Sequence, residues 1–266
     1  MKKMVKFLVS LMVLLMVAPN TVNAQADQVI DRDKEVVIGF DDTFAPFGFK
    51  NEEGEYVGFD LDLAAEIFER MDVEYKFQPI DWSMKETELN TGNIDMIWNG
   101  YSITPEREKV VLFSAPYIEN RQIIIVPVDS DVVSKVDLAG KVLATQEQSA
   151  SLEAILADEE FVQTLGSDPV TYATFVEVFS DLNNGRVDAI VVDETLASYF
   201  LEQNESAADY RILEDNFGEE EYGVGFRKVD EEFVKEFNET LAALIEDGTF
   251  KEIKANWFTG IESEEE

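Results

Sequence analysis

The chain of 266 residues contains no cysteine and no histidine. The first absence removes disulfides, thiolate metal centres, cysteine nucleophiles and lipid attachment through a cysteine. The second removes the usual base near neutral pH and the commonest metal ligand, and many familiar enzyme mechanisms fall with it. Positive charge is scarce: 21 lysines and arginines face 56 aspartates and glutamates, a formal charge of −35. That balance argues against nucleic acid or an anionic membrane as partner. Acid runs such as Glu219-Glu220-Glu221 and Glu264-Glu265-Glu266 read as solvated surface rather than cation sites. Beyond the first two dozen residues no segment approaches about 18 consecutive apolar residues, so no bilayer span is expected there.

Those first residues have a purpose of their own. Lys2, Lys3 and Lys6 precede the apolar run Phe7 to Ala18, and Val22-Asn23-Ala24 offers small cleavage positions. Residues 1–24 therefore read as a secretory signal peptide. The product is expected to be exported, periplasmic or extracellular, with no stable membrane insertion after cleavage. Its length suits one domain or two modest ones.

Two stretches, ELNTGNIDMIWNG (Glu88–Gly100) and DLNNGRVDAIVVD (Asp181–Asp193), share the frame Leu-Asn-x-Gly-x-(Ile/Val)-Asp-x-Ile. In each, Leu-Asn closes a helix, Gly92 or Gly185 supplies the left-handed residue past its end, and a β-branched run reads as a buried strand. One helix–strand unit used twice predicts two similar α/β lobes, with a ligand held between them.

Strands are expected at Glu35–Phe40, Tyr75–Pro79 and Ile94–Trp98, with helices from Asp60 and over Lys85–Asn90, an order that implies right-handed crossovers. After the apolar strand Arg121–Val128 the pattern restarts, with strands at Lys141–Thr145, Val170–Tyr172 and Val187–Val192. Helices at Leu152–Ala157 and Val176–Asn183 lie between them. The expected layout has one lobe from residues 35–125 plus 227–266 and a second from 126–226. Each is a mainly parallel sheet flanked by helices, and two hinge crossings join them.

In open parallel sheets, ligands sit at the carboxyl ends of strands. That rule selects Asp41 to Phe44, Asn99 to Ser102, Gln146 to Ala150, and Asp193-Glu194. The most specific local pattern is Ser102-Ile103-Thr104-Pro105-Glu106-Arg107. Thr104 suits an N-cap and Pro105 the first helical position, which puts Arg107 in a first helical turn. A guanidinium there is a good carboxylate receptor; pairing with Glu106, Glu108 or another surface acid is the alternative. Asp193 ends an apolar strand, either to cap the next helix or to meet an ammonium group. On opposite lobes, the two would recognise a zwitterion.

Gly58-Phe59-Asp60-Leu61-Asp62-Leu63-Ala64, the Ser102–Arg107 tract and Phe113-Ser114-Ala115-Pro116-Tyr117 resemble the signatures of bacterial extracellular solute-binding proteins of family 3. These are the amino-acid-binding proteins of polar-amino-acid ABC importers. The resemblance implies a two-lobed, type II periplasmic-binding-protein fold. It makes Arg107, assisted by Ser102, the ligand for an α-carboxylate, and Asp193, assisted by the Gly100 carbonyl, the ligand for an α-amino group. It casts Phe44 and Trp82 as aromatic walls and Asp41 as a contact for a polar or cationic side chain. Where the family usually has glycine followed by two small hydroxyl-bearing residues, this chain has Gln148-Ser149-Ala150; Gln146 and Ser149 stay as candidate ligands.

The expected function is a monomeric binding protein that captures a free polar L-amino acid and presents it to ABC-transporter permease subunits, with no cofactor and no covalent step. A dehydratase on the same scaffold, with Glu86, Glu147 or Glu194 as its acid, is the alternative. With Asp41 and Asp42 near the side-chain pocket and no spare lysine or arginine evident, glutamine is the first expectation for the ligand, then arginine or lysine.

Overall fold

The computed structural model describes residues 29–204 and 206–258. The signal peptide read over residues 1–24 and the end of the chain from 259 lie outside them. Strand β1 (Val36–Phe40) leads into a small antiparallel sheet of β2 (Thr43–Phe44), β3 (Gly48–Lys50) and β4 (Tyr56–Val57), then helix α1 (Phe59–Met71). Next come β5 (Tyr75–Pro79), α2 (Lys85–Thr91), β6 (Met96–Ile97) and β7 (Leu112–Phe113). The chain continues through β8 (Ile118–Pro127), β9 (Leu143–Gln146), α3 (Ala150–Ala157), α4 (Glu159–Val162), β10 (Val170–Tyr172), α5 (Phe175–Asn183), β11 (Ala189–Asp193) and α6 (Glu194–Gln203). It closes with β12 (Tyr210–Tyr222), β13 (Gly225–Phe226), α7 (Glu231–Glu246) and α8 (Thr249–Trp257).

Two five-stranded sheets result, ordered β5-β1-β6-β13-β7 and β10-β9-β11-β8-β12. Their first three strands are equivalent: second, first, third in chain order, all parallel. The remaining pairings are antiparallel in both. The sheets are thus mixed rather than mainly parallel, because β8, β12 and β13 are the strands that carry the chain out of one sheet and back into the other.

The repeated frame has the same hydrogen bonds in both places. Gly92 (φ 74°) and Gly185 (φ 63°) turn the chain after α2 and α5, donating to the carbonyls of Leu89 and Leu182 at 3.1 and 3.0 Å. The following N–H groups of Asn93 and Arg186 reach back to Glu88 and Asp181, both at 3.0 Å. The frame's aspartates then seize the neighbouring strand: Asp95 accepts from the Val37 N–H at 2.9 Å, and Asp188 from the Val142 N–H at 2.7 Å. Each of these N–H groups thereby finds a partner at a strand start, where a free donor would be costly.

Strand β8 shows why its isoleucine run is uninterrupted. Ile123 and Ile125 pack with α5 and α6, through residues such as Phe179 and Ala197, while Ile124 and Val126 pack with Ile155 of α3 and Phe161 of α4 on the opposite face. Successive side chains point to opposite faces, so a central strand covered on both sides needs apolar residues throughout. This corrects the boundary expected at 125: residues 118–125 pair within the second sheet, and the chain passes between sheets at 114–117 and again at 223–224. The C-terminal helices α7 and α8 pack on α1 beside the first sheet, with Phe233, Phe237, Leu241 and Leu244 buried.

Candidate functional site

The strand ends chosen from the sequence converge at the seam between the two sheets. The Thr104 hydroxyl accepts from the Arg107 N–H at 3.2 Å, and a short 3-10 turn over Arg107–Lys109 follows, beginning later than the expected start at Pro105. The Arg107 side chain is 4% exposed and does not pair with Glu106 or Glu108. It packs against the Tyr101 ring at 4.7 Å and donates Nη1 to the Ser102 carbonyl at 3.1 Å. Across the seam, Nε reaches Glu153 of α3 at 3.1 Å and Nη2 the Gln148 carbonyl at 3.4 Å. A guanidinium has five N–H donors. Three are engaged, which leaves one on each terminal nitrogen for an incoming carboxylate.

Gln148 occupies a left-handed backbone position (φ 53°), which a glycine adopts at about 1 kcal/mol less cost. Its side chain is exposed and its carbonyl points into the seam. A second cation meets that carbonyl: Lys85 Nζ lies 2.8 Å away, over the Trp82 ring at 5.0 Å, and its side chain is 1% exposed. Burial, and then the neighbouring Arg107 charge, lower the Lys85 pKa to about 8. This lysine corrects the expectation that no spare cation lines the cleft. Its position at the start of a helix, in a polar stretch, gives no sign in sequence that the side chain turns inward.

Asp41 is buried. One oxygen accepts from the Thr43 N–H and hydroxyl at 2.9 and 2.6 Å, and the other from Gln146 Nε2 at 2.8 Å, a bond that crosses the seam. Burial raises its pKa. Gln146 donates its other N–H to the Ala173 carbonyl at 2.9 Å. Ser149 does different work from that expected of a ligand: its hydroxyl donates to the Gln146 carbonyl at 2.7 Å and accepts from the Leu152 N–H at 3.1 Å, capping α3.

Phe44 faces Phe175 of α5 across the seam, with ring centroids 6.0 Å apart. Behind it is Gly100 (φ 55°), where an added Cβ would come within 2.7 Å of the Phe44 ring. The Gly100 N–H donates at 2.7 Å to Asp60, a 1% exposed carboxyl that also accepts from the Tyr117 hydroxyl at 3.0 Å. Burial pushes the Asp60 pKa up to about 7. Sequence reading placed Asp60 at a helix start and missed this anchoring of the glycine loop.

Asp193 begins α6 but does not cap it; the Thr195 N–H and hydroxyl go to Asn120 instead. Its carboxylate turns inward, 4% exposed, and accepts from Asn120 Nδ2 at 3.0 Å, Gln122 Nε2 at 2.9 Å and the Tyr222 hydroxyl at 2.6 Å. Tyr222 pairs with Ser102, whose carbonyl holds Arg107, so one two-residue bridge joins the guanidinium to the carboxylate. Glu220 also lies here, half-buried, which corrects the reading of Glu219-Glu220-Glu221 as solvated throughout.

Two matching mixed sheets, each ordered second, first, third in its parallel part, with polar strand ends meeting at a seam, define a two-lobed type II binding-protein fold. The chain belongs to the bacterial extracellular solute-binding proteins, family 3, whose model matches residues 36–260. It is 32% identical over 229 residues to the lysine/arginine/ornithine-binding periplasmic protein of Escherichia coli (strain K12), covering 84% of this chain and 87% of that protein. An ABC uptake transporter substrate-binding protein from Streptococcus pneumoniae, solved with bound histidine, superposes with a TM-score of 0.84 at 38% identity, covering 88% of this chain and 96% of that one. The ancestral amino acid-binding protein AncCDT-1, a precursor of cyclohexadienyl dehydratase, superposes with a TM-score of 0.75 at 31% identity, covering 84% and 95%. Among the described residues no helix is long and apolar enough to cross a membrane.

Proposed function

We propose that the protein closes around a free polar L-amino acid and delivers it, as an exported monomer, to the permease subunits of an ABC importer. One observation carries the reading. Asp193 is a buried carboxylate held by three uncharged donors, with no lysine or arginine in ion-pair range among the described residues. Burial raises its pKa, so the charged form wants a cation. A ligand ammonium supplies one, while the two uncommitted N–H groups of Arg107 take the ligand carboxylate.

In this reading Phe44 and Trp82 enclose the ligand side chain, Asp41 meets its polar or cationic end, and Gly100 and Ser102 offer backbone and hydroxyl groups between the charges. Gln146 steers Asp41, and Ser149 holds the loop that carries the Gln148 carbonyl. The lobes are residues 35–113 with 225–258, and 118–222, hinged where the chain changes sheets. Ligand that touches both lobes favours closure by its differential affinity for the closed form. The acidic groups and the relatives named for lysine, arginine, ornithine and histidine support a cationic ligand, with glutamine next. Lys85 sits with Arg107, at the carboxylate end, and leaves the Asp41 end acidic.

A dehydratase acid finds little support: Glu194 is ion-paired with Arg121 at the surface, and Glu86 is bonded to the Tyr101 hydroxyl at 2.9 Å. Calorimetric titration against the common amino acids, with prephenate-like acids tested for turnover, checks the proposal. Binding of arginine, lysine or glutamine and none of glutamate is expected; tight glutamate binding without those three, or measurable turnover, overturns it.

A further inference from the structure

Beside Asp193 stands a second carboxylate that recognition of a single ammonium does not require. Asn120 Nδ2 lies 3.0 Å from Asp193 Oδ1 and 2.7 Å from Glu220 Oε1, and Gln122 Nε2 lies 2.9 and 2.7 Å from the same two atoms. Two carboxyl oxygens straddling the same pair of amide nitrogens are near neighbours. Two carboxylates at that range repel, and a proton held between them removes the repulsion.

Among the described residues no lysine or arginine pairs with either of them. On β8, Arg121 points to the opposite face and pairs with Glu194, while Asn120 and Gln122 are neutral. On β12 the flanking Glu219 and Glu221 are acidic and exposed, and Tyr222 donates its hydroxyl to Asp193. From α3, the Ser151 hydroxyl donates to the side-chain amide oxygen Oε1 of Gln122, and from α6, the Thr195 hydroxyl donates to Asn120 Oδ1. Behind Tyr222, Tyr117 is bonded to Asp60.

Resting on the amino-acid reading above, we propose that Glu220 is the second carboxylate of the ammonium receptor, and that the ligand's α-ammonium expels the proton which Glu220 and Asp193 share. The ammonium arrives as R–NH3+ and donates to both oxygens; the displaced proton goes to solvent, and no covalent bond changes. Burial and the Asp193 charge raise the Glu220 pKa to about 8, so the shared proton is present at neutral pH in the empty site.

The test is calorimetric titration of the wild-type protein with L-arginine, and with L-glutamine as a probe without side-chain charge. Runs in phosphate and in Tris at one pH count the protons released, and a series from about pH 6 to 9 gives the affinity. Release approaching one proton per ligand is expected below about pH 8, with affinity rising close to tenfold per pH unit and levelling above. Glu220→Gln should abolish the release and the rise, binding within about threefold of wild type at pH 6 and at least about tenfold weaker at pH 9. Proton-neutral binding by the wild type, which needs no variant to fold, overturns the proposal, as does unchanged release by Glu220→Gln. Absence of binding to every common amino acid strikes the underlying reading instead.

Discussion

The frame at Glu88–Gly100 and its counterpart at Asp181–Asp193 build the same turn, the same helix end and the same aspartate bond to a neighbouring strand, then part company at the last residues. The first runs into Trp98-Asn99-Gly100, a loop with a left-handed glycine tied down by Asp60. The second ends on Asp193, an inward carboxylate with only neutral donors. One supplies a surface of backbone groups and the other a charge. The shared part of the frame is scaffold, and the groups proposed for recognition lie where the two copies diverge.

The largest effects should therefore come from residues outside the shared frame. Arg107→Ala and Asp193→Asn should each weaken amino-acid binding by at least about a hundredfold, since each removes charge-assisted bonds worth about 1.5–3 kcal/mol apiece. The ligand-free Arg107→Ala protein should lose less than about 1 kcal/mol, because the Glu153 partner is 38% exposed and its bond is screened. Calorimetry and thermal melts without ligand check both statements. A large drop in the melting temperature of ligand-free Arg107→Ala would make that arginine a structural strut between lobes and leave Asp193 as the sole recognition charge.

The scaffold was legible in sequence because it is local. The glycine after Leu-Asn, the β-branched run after the glycine and the Thr104-Pro105 helix start each act on neighbours a few residues away. Asp193 was legible because a charge at the end of an apolar run needs a partner, and Arg107 because the Thr104-Pro105 start puts it in a first helical turn. Lys85, Glu220 and Asp60 were not, since each acquires its environment from a partner far along the chain: Gln148 for Lys85, Asn120 for Glu220, Gly100 for Asp60. Residues 118–125 went to the wrong sheet for a similar reason. An isoleucine run announces a strand covered on both faces and leaves open which neighbours cover it.

Within the shared frame, the two aspartates should separate by their surroundings. Asp188→Asn replaces the carboxylate that receives the Val142 N–H and should cost about 1 kcal/mol. Asp95→Asn loses the matching bond and also the 2.9 Å ion pair with Arg227, a guanidinium whose side chain is 5% exposed, so about 2–3 kcal/mol is expected. Denaturant unfolding of the two variants measures the difference, and neither should change ligand affinity. Equal losses would show that the Arg227 pair adds nothing, and that the copies match more closely than their neighbours suggest.

The smallest effect asked of the comparison is the sharpest test of it. Gly185 has nothing within 4 Å of an added Cβ, so Gly185→Ala meets no clash and pays only for a left-handed backbone, about 1 kcal/mol. Gly92 has nearly the same φ and the same two bonds around it, and Gly92→Ala should cost the same within a few tenths of a kcal/mol. In melts of a chain this size that is a fall of about 2–4 °C for each. A clearly greater loss at either position would mean that its helix end bears a load the hydrogen bonds do not reveal, and the two halves would cease to be interchangeable as scaffold.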